Sequence, residues 1–300
     1  MIKNLVLAGA QIKGISYVGC VKALNELRLL NEIENYCGVS SGSIVSLLLF
    51  LEIDYVSMVK LIYDIVNYEN LRSNDRIKVL DILEYYGVES GDNLIKILEV
   101  IINKKTGIKQ ATFKNLYDMY PGKKLIIVGT NLTDNKTEFF SVDSTPDMVV
   151  SKAIRISVSV PFIFTKVDYK DNIYIDGGVG CNLPMDFFKD DMEHTLGISI
   201  ISLSYVTEID TFDKYINRVF RRLMDNNDNY IIERYSDNML IITVDYDYMN
   251  IDLCEEKKDY LLDSGYRQTY INIKHTIFDP EKEIKKTLNS IINKLEKNII

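Results

Sequence analysis

The chain has 300 residues, 47% hydrophobic and 26% charged, with 35 Lys+Arg against 43 Asp+Glu for a formal charge of −8. This excludes a disordered, collagen-like or disulfide-rich chain, and without a broad basic field it argues against nucleic acid as a partner. Only two histidines are present, His194 and His275, so a His-dependent triad or a zinc site would have to draw on one of them.

In chain order, Leu5-Val6-Leu7 is a short apolar run that predicts a buried strand. Gln11 and Lys13 interrupt it too early for a signal-peptide core. A helix after Gly14 is marked by Ile15, Val18, Leu24, Leu27 and Leu30. Tyr36–Val39 predicts a second strand, Ser40–Ser43 a small-residue turn, and Ile44–Leu51 a helix. That apolar stretch falls short of the roughly 20 residues a membrane span needs. Strand, helix and strand make a parallel, right-handed βαβ unit with its loops at the carboxyl ends of the strands.

The stretch 56–120 reads as mostly helical, punctuated by Gly87, Gly91 and Gly107. Leu125–Val128 and Glu138–Val142 predict strands, and Pro146 sits near the start of a helix through Met148, Val149, Val150 and Ile154. Phe162–Val167 and Ile173–Ile175 read as a hairpin turning at Lys170-Asp171-Asn172. Leu196–Ile201 and Leu240–Val244 are further strands. A final helix from about Pro280 carries Ile284, Leu288, Ile291, Ile292 and Leu295 beside Lys282, Lys285, Lys286, Lys294 and Lys297. With no linker and no internal repeat, residues 1–300 read as a single α/β domain.

The four cysteines, Cys20, Cys37, Cys181 and Cys254, form no C-x-x-C pair, and Asn250 replaces the glycine a calcium loop at Asp245 and Asp247 would need. No metal and no cofactor is expected.

Three constellations can carry chemistry. Gly38-Val39-Ser40-Ser41-Gly42 is G-x-S-x-G between a strand and a helix, the setting for a nucleophile on a strained turn. Asp176-Gly177-Gly178 follows the Ile173–Ile175 strand and can project a carboxylate into a cleft, although Asp-Gly is also a common turn. The loop Gly9-Ala10-Gln11-Ile12-Lys13-Gly14 opens a helix and can aim backbone N–H groups at an oxyanion. It is not a P-loop, because Ile15, not Lys, follows Gly14.

In that order the three resemble the patatin-like phospholipase family. Between and after them, Thr112-Phe113-Lys114-Asn115-Leu116 looks like the family's T-F-x-x-L, and Thr130-Asn131-Leu132 lies on a strand of the expected kind. Arg155-Ile156-Ser157 with Ser159, Pro161 and Phe164 resembles its R-x-S-x-x-x-P-x-x-F, and Asn182-Leu183-Pro184 continues the Asp motif. The likeness covers residues 5–184, with weaker similarity onward, including Gly265-Tyr266.

The resemblance implies a three-layer α/β sandwich whose mostly parallel central sheet is flanked by helices, completed by residues 185–300. It implies a lipid acyl hydrolase of phospholipase A type, working through an acyl-enzyme on a Ser40–Asp176 dyad that needs neither histidine. A phospholipid or other acyl lipid is then the substrate. The terminal helix is expected to pack its apolar stripe on the domain, with peripheral membrane contact through its lysines as the alternative, and the location expected is intracellular, soluble or peripherally membrane-associated, with no signal peptide or transmembrane helix. The sequence departs from the family pattern at Ala10 and Gln11, where the loop usually has glycine. If those residues must take positive φ, each costs on the order of 1–2 kcal/mol. The alternative reading is therefore a catalytically impaired relative that binds lipid or protein.

Overall fold

Residue-by-residue alternation builds the sheet. Leu5 and Leu7 of strand β1 (Asn4–Leu7) face one apolar layer, while Val6 and the following Ala8 face the other. Tyr36 and Cys37 divide in the same way on β2 (Asn35–Gly38), as do Leu125 and Ile127 against Ile126 and Val128 on β4 (Lys124–Asn131). Such strands are buried on both faces, which explains their near-continuous apolar runs. The coordinates are a computed structural model and describe residues 1–66, 85–203, 209–246 and 253–277.

Helices α1 (Ile15–Glu26), α2 (Ser41–Phe50) and α3 (Tyr55–Val66) follow β1 and β2. A short strand β3 (Gly87–Glu89) precedes α4 (Asp92–Thr106) and α5 (Phe113–Met119). After β4 come β5 (Lys136–Phe140), α6 (Val150–Ser157), β6 (Phe162–Phe164), β7 (Val167–Tyr169), β8 (Asn172–Asp176) and α7 (Gly177–Cys181). The chain continues through β9 (Thr195–Ser202), α8 (Phe212–Arg234), β10 (Met239–Val244) and α9 (Glu255–Ile277).

Among the described residues the main sheet runs β10-β9-β1-β2-β4-β8-β7, with β5 also on β4. It is parallel from β10 to β4 and antiparallel where β5, β7 and β8 join. Helices α1 to α5 supply one covering layer. Leu183, Met185 and Phe188, with Ile231 and Ile232 of α8, supply the other, giving the expected sandwich. Helix α1 lies directly on α9: a Cβ on Gly19 would fall 2.0 Å from Leu262 O, and one on Gly265 1.9 Å from Ser16 O. The weak Gly265-Tyr266 similarity thus marks a helix crossing at backbone distance.

One register decides where the functional residues meet. Ile127 of β4 is opposite Gly38 of β2 and also Phe140 of β5, so β2 and β5 lie on opposite edges of β4. Further along, Gly129 is opposite Asp176 of β8 and Glu138 of β5. Strands β2 and β8 therefore share one edge of β4, run toward each other, and stop two positions apart.

Some boundaries differ from expectation. The hairpin begins at Val167, with Lys170 and Asp171 turning at positive φ; Phe162–Phe164 instead pairs in parallel with β3. Helices α8 and α9, both polar on average, occupy stretches where the sequence reading places no element. The Thr112 motif is a capping box: Thr112 Oγ1 accepts from Asn115 N–H, and Phe113 and Leu116 enter the core. The expected helix from Pro280, with its lysines, and residues Asp247 and Asn250 lie outside the described residues.

Candidate active site

Strand β2 ends at Gly38 and the chain turns into α2 through Ser40, which has φ 50° and ψ −125°. A non-glycine residue in this region stores about 1–3 kcal/mol of strain. The flanking glycines are required by contact rather than by φ. A Cβ on Gly42 would sit 2.4 Å from Leu7 O, and one on Gly38 would sit 2.5 Å from Gly42 O. Small residues thus let β2, α2 and β1 close tightly enough to hold the elbow.

Asp176 arrives from the other side as the last residue of β8 and the N-cap of α7. Its Oδ1 accepts from Gly178 N–H at 2.7 Å, and its Oδ2 accepts the Ser40 hydroxyl at 2.7 Å. Gly177 lets this corner press on β4, since a Cβ there would lie 2.3 Å from Val128 O. Both dyad residues are buried: Ser40 is 6% exposed and Asp176 3%. Burial pushes the Asp176 carboxyl up to about 7, outweighing the two hydrogen bonds that pull it down.

The end of α6 holds both partners. Ser157 Oγ accepts the Ser40 N–H at 2.9 Å, and Ser159 O accepts the Asp176 N–H at 2.9 Å. Arg155 anchors this segment: Nε donates to Ser90 O at 2.9 Å, Nη2 to Thr165 O at 3.0 Å, and Nη1 to Ser159 Oγ. Its burial lowers the guanidinium to about 10. The sequence flagged Arg155, Ser157 and Ser159 as motif members but assigned them no task.

The Gly9–Gly14 loop packs beside the nucleophile: a Cβ on Gly9 would lie 3.3 Å from Ser40 Cβ and 2.3 Å from Asn182 Oδ1. Ala10 has φ −138°, ordinary for any residue, so the expected strain at this position does not arise. Gln11, at φ 52°, does occupy the left-handed region. The Ala10 N–H donates to Ser41 Oγ at 3.1 Å and is engaged within the protein. Gln11, Ile12, Lys13 and Gly14 form a 3-10 turn, whose first amides, those of Gln11 and Ile12, have no carbonyl partner within the turn. The Lys13 ammonium reaches back to Ile200 O at 3.4 Å on β9.

His194 lies away from this site, where Nδ1 contacts Asp191 Oδ1 at 2.6 Å. His275 belongs to α9, but its side chain is outside the described residues.

A buried serine on a strand-to-helix elbow, facing a buried aspartate at a second strand end, defines a candidate Ser–Asp hydrolase site on an α/β sandwich. The patatin-like phospholipase family profile matches residues 5–189, and the chain belongs to that family. It is 32% identical over 280 residues to "Uncharacterized protein R571" of Acanthamoeba polyphaga mimivirus, covering 89% of this chain and 92% of that protein. It is 35% identical over 187 residues to "Probable lipid hydrolase 463L" of Invertebrate iridescent virus 6, covering 61% of this chain and 62% of the relative. In fold it is similar to VipD from Legionella pneumophila, with TM-score 0.59, 19% identity, and 89% of this chain and 66% of that chain covered. The type III effector ExoU of Pseudomonas aeruginosa aligns with TM-score 0.50 and 16% identity, over 91% of this chain and 53% of that one. The chain thus spans less than two thirds of the iridescent virus protein and of both solved structures. The family is one of lipid hydrolases. Among the described residues, no helix is long and apolar enough to cross a membrane.

Proposed function

We propose that the chain is a serine-dependent lipid acyl hydrolase acting through Ser40 and Asp176. The observation that carries this reading is the 2.7 Å hydrogen bond from Ser40 Oγ to the buried Asp176 carboxylate, which burial pushes up to about 7 and so toward a general base. Ser40 Oγ attacks the ester carbonyl of an acyl lipid as Asp176 accepts its proton. Collapse of the tetrahedral intermediate expels the alcohol, which takes that proton, and leaves an acyl-enzyme. Asp176 then deprotonates a water that attacks the acyl carbonyl, releasing the fatty acid and restoring Ser40. The Gln11 and Ile12 amides, which the Gln11–Gly14 turn leaves without a carbonyl of its own, are the candidate oxyanion donors.

Phospholipid is the substrate class, met by peripheral contact with a lipid surface. We take residues 1–300 as one domain, because β9 and β10 complete the sheet begun by β1 and α9 covers α1. The test is fatty-acid release from phosphatidylcholine vesicles, with covalent labelling by a fluorophosphonate. Wild type releases fatty acid and labels, whereas Ser40→Ala does neither. Equal labelling of the two would refute the reading.

The engaged Ala10 amide and the left-handed Gln11 favour a second reading, an impaired module that binds lipid without hydrolysing it. It predicts vesicle binding with no fatty-acid release, and a large gain of activity when Gly is restored at positions 10 and 11.

A further inference from the structure

Asn182 and Asp228 lie behind the Gly9–Gly14 loop and have no part in the dyad. Asn182 is 4% exposed and Asp228, on α8, 9%. Asn182 Nδ2 donates to Asp228 Oδ2 at 2.6 Å and to Gly9 O at 3.3 Å, and the Asn182 main-chain O accepts Gly9 N–H at 3.3 Å. The peptide groups on both sides of Gly9 are therefore tied to one residue.

The orientation of the Asn182 amide is forced. Both groups facing Nδ2 are acceptors, so the flipped amide would set an oxygen against a carboxylate and a carbonyl. The orientation that results leaves Asn182 Oδ1 buried without a hydrogen-bond partner. An unmet acceptor is tolerated in exchange for two donations, one of them charge-assisted. Gly9 in turn lies against the nucleophile, since a Cβ built on it would fall 3.3 Å from Ser40 Cβ.

We propose that Asn182 is a positioning residue for the Gly9–Gly14 loop, and that Asp228 holds it in that role. The inference rests on the hydrolase reading for its kinetic consequence, but not for its structural one. Asp228 lies beyond residues 5–189, so α8 reaches into the site from outside the stretch that defines the family.

The experiment compares wild type with Asn182→Ala, Asp228→Asn and the exchanged pair Asn182→Asp with Asp228→Asn. Asn182→Ala lowers kcat about 10²-fold with KM little changed, because a loop displaced by about 1 Å misplaces the oxyanion donors. Asp228→Asn keeps an acceptor for Asn182, preserves the fold, and loses kcat several-fold. The acid limb of the pH profile, set by Asp176, stays in place in both.

The exchanged pair separates positioning from packing. It restores an amide–carboxylate bond and with it part of the melting temperature lost in Asn182→Ala, yet turns an oxygen toward Gly9 O, so kcat stays low. Recovery of kcat together with stability would show a merely structural pair and overturn the proposal, as would unchanged kcat in Asp228→Asn. Hydrogen–deuterium exchange of the Gly9–Gly14 amides reads the loop without turnover. Faster exchange in Asn182→Ala supports the proposal and unchanged exchange refutes it, even if wild type hydrolyses nothing and the hydrolase reading alone falls.

Discussion

Replacing Asp176 by Asn should remove activity and stabilise the protein, by an amount that depends on pH. The carboxyl rises from 3.8 to about 7 on folding because it is buried. The folded pKa is the higher one, so the group favours folding most below pH 3.8, and that contribution is lost as pH rises through about 7. A shift of about three units corresponds to about 4 kcal/mol at pH 8, and only about 2 kcal/mol has developed by pH 5. Asn is nearly isosteric and can still accept from Gly178 N–H, so it escapes this cost. Urea unfolding at the two pH values should show Asp176→Asn more stable than wild type, with a larger margin at pH 8. Its kcat should fall by about 10²–10⁴, the worth of a positioned base. Wild-type kcat/KM should rise with pH to a midpoint near 7, with about 10% of its plateau at pH 6. An Asn variant equally stabilised at both pH values, or an acid limb below pH 5, would refute the burial argument.

Three other substitutions test the frame around the dyad. Ser157→Ala deletes the acceptor of the buried Ser40 N–H and should cost about 1–3 kcal/mol in unfolding free energy, with kcat falling more than KM rises. Gln11→Gly should raise the melting temperature by relieving a left-handed residue worth about 1 kcal/mol, while Ala10→Gly, at an ordinary φ, should lower it. Gly42→Ala drives a Cβ against two fixed carbonyls, of Leu7 and Ala8, and should yield little folded protein by circular dichroism.

The candidate site was largely legible because its parts are local. A nucleophile elbow is five consecutive residues, and its glycines are demanded by contacts within the same βαβ unit. The apolar runs of β1, β2, β4, β9 and β10 were equally plain, since strands buried on both faces cannot hide. What the sequence did not show depends on long-range approach. Ser157, placed 117 positions from Ser40, carries an ordinary hydroxyl whose task appears only when α6 abuts the elbow. Asp228 sits in a polar helix with no motif, and its value comes from Asn182 across a fold-level contact. Ala10 is a different case: the family's glycine raises the question of a special φ, and this backbone asks for none there, while Gln11 does take one.

The shared edge of β4 has a consequence for how such a chain can change. Ser40 and Asp176 are 136 positions apart, yet their spacing is measured by two residues of one strand, Ile127 and Gly129. That strand works as a caliper. Segments inserted between α2 and β4, or between β5 and β8, can lengthen without opening its jaws, provided they leave the segment at the end of α6 in place. A single residue added between Ile127 and Gly129 would separate the dyad while leaving every motif intact.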